Sequence, residues 1–269
     1  MTVPDILARI AERCRQRIAE VGGAEVEDVA GEPSGALADN AFLAALRARR
    51  GTPAVIAEVK MGSPRLGSLA GRIDPLAQAR LYGENGAAAL SVVVEPDFFH
   101  GSYELLTACR QASGLPAVAK DFVVDPVQLL WARDAGADAV LLIAALYDDP
   151  DELAGYADLA RGLGLVPLVE THDADDVAKL EGEPWEIVGV NNRDLRTFEV
   201  DLQRSIALLP GLPAEAVKVA ESGIRDGLDV ALLRDSGFDA FLIGESLLLA
   251  PDPARKLREL LIGPEVPWP

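Results

Sequence analysis

An α/β fold, a single (β/α)8 barrel with an N-terminal helical extension, is predicted by three features of this 269-residue chain. Short apolar runs alternate with amphipathic helical segments at roughly the 30-residue interval of a βα unit. The runs are apolar on both faces, as expected of parallel strands covered by helices. Five of them end in polar or charged residues, so their C-terminal ends read as one rim. An open, doubly wound sheet with one switch point would not explain polar ends in that many units, and a Gly-x-Gly-x-x-Gly fingerprint is absent.

The length fits one barrel domain, residues 1–269, with 1–50 as its extension. Residues 5–20 carry Ile6, Ile10, Cys14 and Ile18 at a spacing of four, which predicts a helix with one apolar face. Residues 22–39, rich in Gly, Ala and acidic side chains, read as a loop. Asp39 or Asn40 then caps a second helix through Phe42, Leu43 and Leu46, which ends in the basic run Arg47-Ala48-Arg49-Arg50.

The strand runs fall at 53–60, 87–95, 116–121, 139–144, 165–171, 187–191, 217–221 and 240–244. Helical segments follow at 75–84, 102–112, 126–135, 149–163, 174–180, 202–209, 226–236 and 253–261. Glu58 and Lys60 close the first run with i, i+2 parity, so both side chains point the same way. Lys120-Asp121, Glu170, Asn191-Asn192-Arg193 and Glu221-Ser222-Gly223 close four others.

A net charge of −18 and a pI near 4.5 leave no basic stripe to neutralise phosphates, which argues against nucleic acid or an anionic membrane as partner. An anionic substrate must therefore find a local positive pocket. The cysteines, Cys14 and Cys109, have no pairing or metal spacing, which suits a reducing compartment. No leader pattern and no run of about 20 apolar residues is present, and a cytoplasmic location is expected. With His100 and His172 as the histidines and no calcium-loop spacing among the carboxylates, no metal is expected.

Six motifs in barrel order carry a resemblance. They are Glu58-Val59-Lys60-Met61-Gly62-Ser63-Pro64, Phe98-Phe99-His100-Gly101-Ser102, Lys120-Asp121-Phe122, Asn191-Asn192-Arg193-Asp194-Leu195, Ala220-Glu221-Ser222-Gly223-Ile224 and Ile243-Gly244-Glu245-Ser246-Leu247. From about Asn40 to the last helix the chain resembles the indole-3-glycerol-phosphate synthase family, the indole-forming TIM barrels of tryptophan biosynthesis.

The resemblance implies a small phosphorylated substrate, 1-(2-carboxyphenylamino)-1-deoxyribulose 5-phosphate, closed into a pyrrole ring with loss of carbon dioxide and water, and no cofactor. It implies a general acid at Lys120, a second acid/base group at Glu170, and a lysine engaging the substrate's anionic groups at Lys60. Glu58, Asn191 and Glu221 match polar residues that hold the lysines and the substrate, while Ser63, Arg193 and Ser222 match substrate-contacting positions. Association with another tryptophan-pathway enzyme is a further expectation.

Glycines after the seventh and eighth strands, Gly223 and Gly244 with Glu245, let backbone N–H groups approach a phosphate. Phe99, Phe122, Leu141, Ile143 and Leu195 could line a slot for an aromatic ring. Lysines and carboxylates converging on one mouth shift one another's pKa values, which is how a lysine becomes a usable acid near neutrality; at Lys120, desolvation beside Phe122 acts to lower the pKa and the neighbouring carboxylates oppose that shift.

The chain departs from the family pattern at Met61 and near Leu66, where a basic residue is common, at Val94 in place of threonine, and at Ala119 in place of arginine. Competing readings are a paralogue acting on a substituted anthranilate, another sugar-phosphate barrel such as phosphoribosylanthranilate isomerase, and a catalytically silent metabolite-binding barrel. The Lys120 and Glu170 pair disfavours the isomerase, and Lys60, Lys120 and Glu170 together disfavour the silent barrel.

Overall fold

The computed structural model describes residues 6–22, 37–49, 52–64, 67–194, 197 and 199–262. Eight parallel strands close into a barrel: β1 (Ala54–Val59), β2 (Ala89–Val93), β3 (Ala117–Lys120), β4 (Ala139–Ile143), β5 (Val166–Thr171), β6 (Ile187–Asn191), β7 (Val217–Glu221) and β8 (Ala240–Ile243). Each strand pairs with its neighbours in sequence, and β1 closes the ring on β8 through Ala54 opposite Ala240 and Ala57 opposite Ile243. The strands lie within a residue or two of the predicted runs.

The helices are α1 (Ile6–Val21), α2 (Ala41–Arg47), α3 (Pro75–Glu84), α4 (Pro96–Phe99), α5 (Tyr103–Ser113), α6 (Val127–Asp134), α7 (Pro150–Gly162), α8 (Ala174–Ala178), α9 (Leu202–Leu208), α10 (Gly227–Ser236), α11 (Glu245–Leu248) and α12 (Pro253–Ile262). Side-chain caps start many of them. Asp74 accepts from Leu76 N and Ala77 N ahead of Pro75, and Asp149 accepts from Asp151 N ahead of Pro150. The short elements α4 and α11, and the two-stranded ribbon Gly62–Ser63 with Gly67–Ser68, are not among the predicted elements, since pieces of two to four residues are too short to show a period.

Strand alternation divides the core in two. In β1, Ala54 and Ile56 join the cluster inside the barrel, whereas Val55, Ala57 and Val59 join the cluster between strands and outer helices. Phe42, Leu43 and Leu46 of α2 belong to the inner cluster with Ala54, Ala139 and Ala240 at the strand starts, so α2 plugs the N-terminal end. Asn40, not Asp39, caps α2. Its Oδ1 accepts from Phe42 N and Leu43 N, and its Nδ2 donates to Asp138 O and Gly164 O just before β4 and β5.

Helix α1 lies across the opposite, C-terminal end. Its buried residues are Leu7, Ile10, Ala11, Cys14 and Ile18, and Ile6 is only half-buried. A strict spacing of four overruns the 3.6-residue turn, so the true stripe alternates steps of three and four and takes in Leu7 in place of Ile6. Arg17 Nη1 reaches Asp97 Oδ2 at 2.6 Å and Glu95 Oε1 at 3.4 Å, and Arg13 Nε reaches Asp97 Oδ1 at 3.3 Å, which ties α1 to the segment after β2. Among the described residues no helix is long and apolar enough to cross a membrane. Most of the loop expected at 22–39, together with Arg50, Leu66 and Leu195, lies outside the described residues.

Candidate active site

The inward rows that are apolar at the strand starts become polar at their C-terminal ends. After Ala54 and Ile56 come Glu58 and Lys60, after Val118 comes Lys120, after Val166 and Leu168 comes Glu170, and after Val217 and Val219 comes Glu221. Above them opens a cavity of about 910 Å³. Its walls include Glu58, Lys60, Ser63, Phe99, Lys120, Phe122, Leu141, Glu170, Asn191, Arg193, Ser222, Gly223, Gly244 and Glu245. Glu221 does not line it, but stands beneath it against Lys120.

Two ion-pair clusters make the floor. Lys60 Nζ donates to Glu58 Oε1 at 2.6 Å. Lys120 Nζ lies 3.2 Å from both Glu170 Oε2 and Glu221 Oε2. Room for these carboxylates comes from two glycines. A Cβ on Gly189 of β6 would collide with Glu221 Oε1, and one on Gly244 after β8 would collide with Glu58 Oε1. Gly244 therefore accommodates Glu58 as well as standing in the wall where phosphate binding was expected. Ser222 (φ 65°) and Gly223 (φ 76°) adopt left-handed backbone at the end of β7, which turns that loop over the cavity.

The side walls are apolar. The Phe99 and Phe122 rings face each other with centroids 5.8 Å apart. Phe99 is held by Glu95, whose carboxylate accepts from the amides of Asp97, Phe98 and Phe99. Phe122 follows Asp121, which accepts from Tyr103 Oη at 2.8 Å and Gln128 Nε2 at 2.9 Å. Ile6, Leu7 and Ile10 of α1 complete the mouth. Reading the sequence did not place them there, because an apolar helix face does not name what it covers.

Asn191 Oδ1 accepts from Arg193 N at 2.9 Å, and Arg193 Nη2 lies 3.6 Å from Glu245 Oε2. Ala119 and Val94, two of the departures from the family pattern, pack in the outer cluster and not in the cavity wall.

Of the two opposing effects expected at Lys120, the carboxylates win. Burial alone would lower the pKa of Lys120, but Glu221, Glu170 and Glu58 outweigh it and raise the value, so the resting ammonium is held protonated. Burial lifts Glu221 to about 8, helped by Glu170 and opposed by Lys120. Glu170 goes the other way: burial raises it, but Lys120 and then His172 bring it well below the usual carboxylate range. The site thus sets Glu170, which gives up its proton readily, against Glu221, which holds its proton more tightly than a free carboxyl group, two carboxyl groups pushed in opposite directions by their surroundings.

His172 was not among the expected site residues, although its i, i+2 relation to Glu170 on β5 was the available signal. Among the described residues no group of three or more His, Cys, Asp and Glu side chains is arranged to hold a metal ion.

Solved barrels resemble this one at the level of fold alone: thiamine phosphate pyrophosphorylase from Pyrococcus furiosus superposes with a TM-score of 0.56 at 16% identity, covering 77% of this chain and 93% of that one, and 3-hexulose-6-phosphate synthase from Salmonella typhimurium with a TM-score of 0.60 at 16% identity, over 77% and 96%. Curated relatives show the family. The chain is 43% identical to the indole-3-glycerol phosphate synthase of Azoarcus sp. (strain BH72), over 95% of this chain and 98% of that one. It is 43% identical to that of Variovorax paradoxus (strain S110), over 96% and 99%, and 45% identical to that of Microcystis aeruginosa over 81% and 76%. The family model described as indole-3-glycerol phosphate synthase matches residues 5–260, and the chain belongs to that family.

Proposed function

We propose that this protein closes 1-(2-carboxyphenylamino)-1-deoxyribulose 5-phosphate to indole-3-glycerol phosphate, releasing carbon dioxide and water. The observation that carries the reading is Lys120 Nζ held at 3.2 Å from both Glu170 and Glu221 on the floor of a cavity with aromatic walls. Ring closure develops negative charge on the ketone oxygen as the aryl carbon attacks, and the Lys120 ammonium supplies the proton that quenches it. An alkoxide is a stronger base than an amine, so the raised pKa of Lys120 keeps the acid loaded without preventing transfer. Loss of the carboxylate as carbon dioxide restores the aromatic ring. Glu170, ionised at rest, is suited to take the proton that leaves in the dehydration.

Lys60, just past the C-terminal end of β1 with Glu58 as counter-ion, supplies positive charge for the substrate's anionic groups. The strand-end loops at Ser222–Gly223 and Gly244–Glu245 hold the phosphate through backbone N–H groups, and Ser63, Asn191 and Arg193 contact the substrate around them. Phe99, Phe122 and Leu141 receive the anthranilate ring. The reading extends to a role in tryptophan biosynthesis in the cytoplasm, supported by two buried, unpaired cysteines, and to association with a neighbouring pathway enzyme. Residues 1–269 act in it as one domain, supported by the inner core that Leu7 and Phe42 share with Ile56 and Leu141.

Incubating the purified protein with the carboxyphenylamino-deoxyribulose phosphate tests the reading through the fluorescence of the indole product. Product forming in proportion to enzyme is the expected result, and a flat trace with folded protein overturns it.

A further inference from the structure

Glu170 is braced from two sides. One of its oxygens, Oε2, faces Lys120 and the main cavity, and the other, Oε1, lies 3.2 Å from His172 Nε2. The other ring nitrogen, Nδ1, stands 3.5 Å from Asp176 Oδ2. Both are ion-pair approaches and not aligned hydrogen bonds. We propose that His172, anchored by Asp176, is a positioning residue that orients the Glu170 carboxylate and keeps it ready to accept a proton.

The local structure makes this arrangement stiff. Thr171 points away from the barrel axis and its Oγ1 donates to Gly189 O at 2.9 Å, which pins β5 to β6 and leaves Glu170 and His172 on the same side. The His172 amide donates to Asp176 Oδ2 at 3.0 Å, and Asp173 caps α8 by accepting from Asp176 N at 3.0 Å. Asp176 Oδ1 takes Lys179 Nζ at 3.3 Å, and that ammonium also donates to Ala144 O at 2.9 Å after β4. The anchor is thus held by groups from two neighbouring units of the barrel.

His172 is 7% exposed and lines a second cavity of about 450 Å³, with Asp173, Asp176, Asp194 and Arg204 among its walls. Glu170 lines the main cavity, so the two side chains span the wall between them. The charged groups facing the imidazole are Glu170 from β5, the strand His172 follows, and Asp176 from α8. Lys179 stands behind Asp176, the Arg204–Asp194 pair lies across the second cavity at 3.1 Å, and Lys120 and Glu221 lie beyond Glu170.

Burial lowers the imidazole pKa, but Asp176 and Glu170 outweigh it and bring the value up to about 10. A cationic ring at neutral pH favours the ionised form of Glu170. Once Glu170 has taken the substrate's proton, the same cation favours its release to solvent, which resets the base.

The inference rests on the proposed ring closure, and two measurements separate them. The first is the pH dependence of kcat in the wild type, His172→Gln and Asp176→Asn. Removing a facing cation raises the pKa of a carboxylate, so in His172→Gln the acidic limb moves to higher pH by about one unit. At the optimum kcat falls on the order of tenfold, as for loss of other groups that orient a reacting side chain, while KM changes little. Asp176→Asn moves the limb the same way by less. An unmoved limb, with kcat and thermal stability falling together, overturns the assignment and leaves the ring closure standing.

The second measurement needs no turnover. The chain has two histidines, so a histidine-labelled NMR titration of the wild type, assigned with His100→Gln, follows the ring of His172 directly. It is expected to stay protonated well above pH 6.5 and to titrate lower in Glu170→Gln. A ring that titrates at or below 6.5 in the wild type overturns the proposal even where no substrate is converted.

Discussion

At the N-terminal end of the barrel, Phe42, Leu43 and Leu46 fill the opening below Ala54, Ala139 and Ala240 with apolar side chains. At the C-terminal end the same inward rows finish in Glu58, Lys120, Glu170 and Glu221 around a cavity of about 910 Å³. The first end gains stability from apolar burial, which needs shape but no partner. The second puts charges out of water, which costs free energy unless each is paired, and pairing sets their protonation states. A barrel can therefore be read as a plug and a site that share strands but not energetics.

The largest expected effect is at the site. Lys120→Ala removes the loaded acid, and kcat is expected to fall on the order of 10²–10⁴-fold with the circular dichroism of the fold retained. Loss of the fold alongside the activity would mean that the ion-pair cluster, and not α2, holds the barrel together, and the contrast between the ends would fail.

Phe42→Ala probes the plug. Truncating this fully buried ring is expected to destabilise the protein by about 3–5 kcal/mol in denaturant unfolding. The turnover of the molecules that remain folded should match the wild type. A change in KM here would show that the two ends are coupled through the barrel core.

Glu221→Gln gives the smallest and most specific effect, on the pH dependence of stability. The Glu221 carboxyl is lifted from 4.5 to about 8, so folding favours its protonated form. Its stabilising contribution is complete below pH 4.5 and is lost as pH rises through about 8. Glutamine cannot ionise, so the stability of Glu221→Gln should gain on the wild type across that window when melting temperatures are compared at successive pH values. Parallel curves would place the proton elsewhere in the Lys120 cluster.

Much of the architecture was legible because its signals are local. Apolar runs of strand length, polar residues at their C-terminal ends, and a cap such as Asn40 all act within a few residues, and the strands fall where the runs do. The direction of Glu58 and Lys60 also followed from parity alone, and the two side chains meet at 2.6 Å. The short α4 was harder to see, because its Glu95 cap looks in sequence like any acidic residue before a proline.

Only the closed barrel decided the rest. Lys120 meets Glu170 across 50 positions of sequence and Glu221 across 101, and those 3.2 Å approaches decide the contest between desolvation and the carboxylates in favour of a raised pKa. The glycines at 189 and 244 gain their meaning from Glu221 and Glu58 on adjacent strands. Helix α1 becomes part of the mouth because Arg13 and Arg17 find Asp97. Chain composition and period determine which residues face inward and where strands end. The charge state of each group is set by distances across the ring, which strand register and closure establish and which no local period encodes.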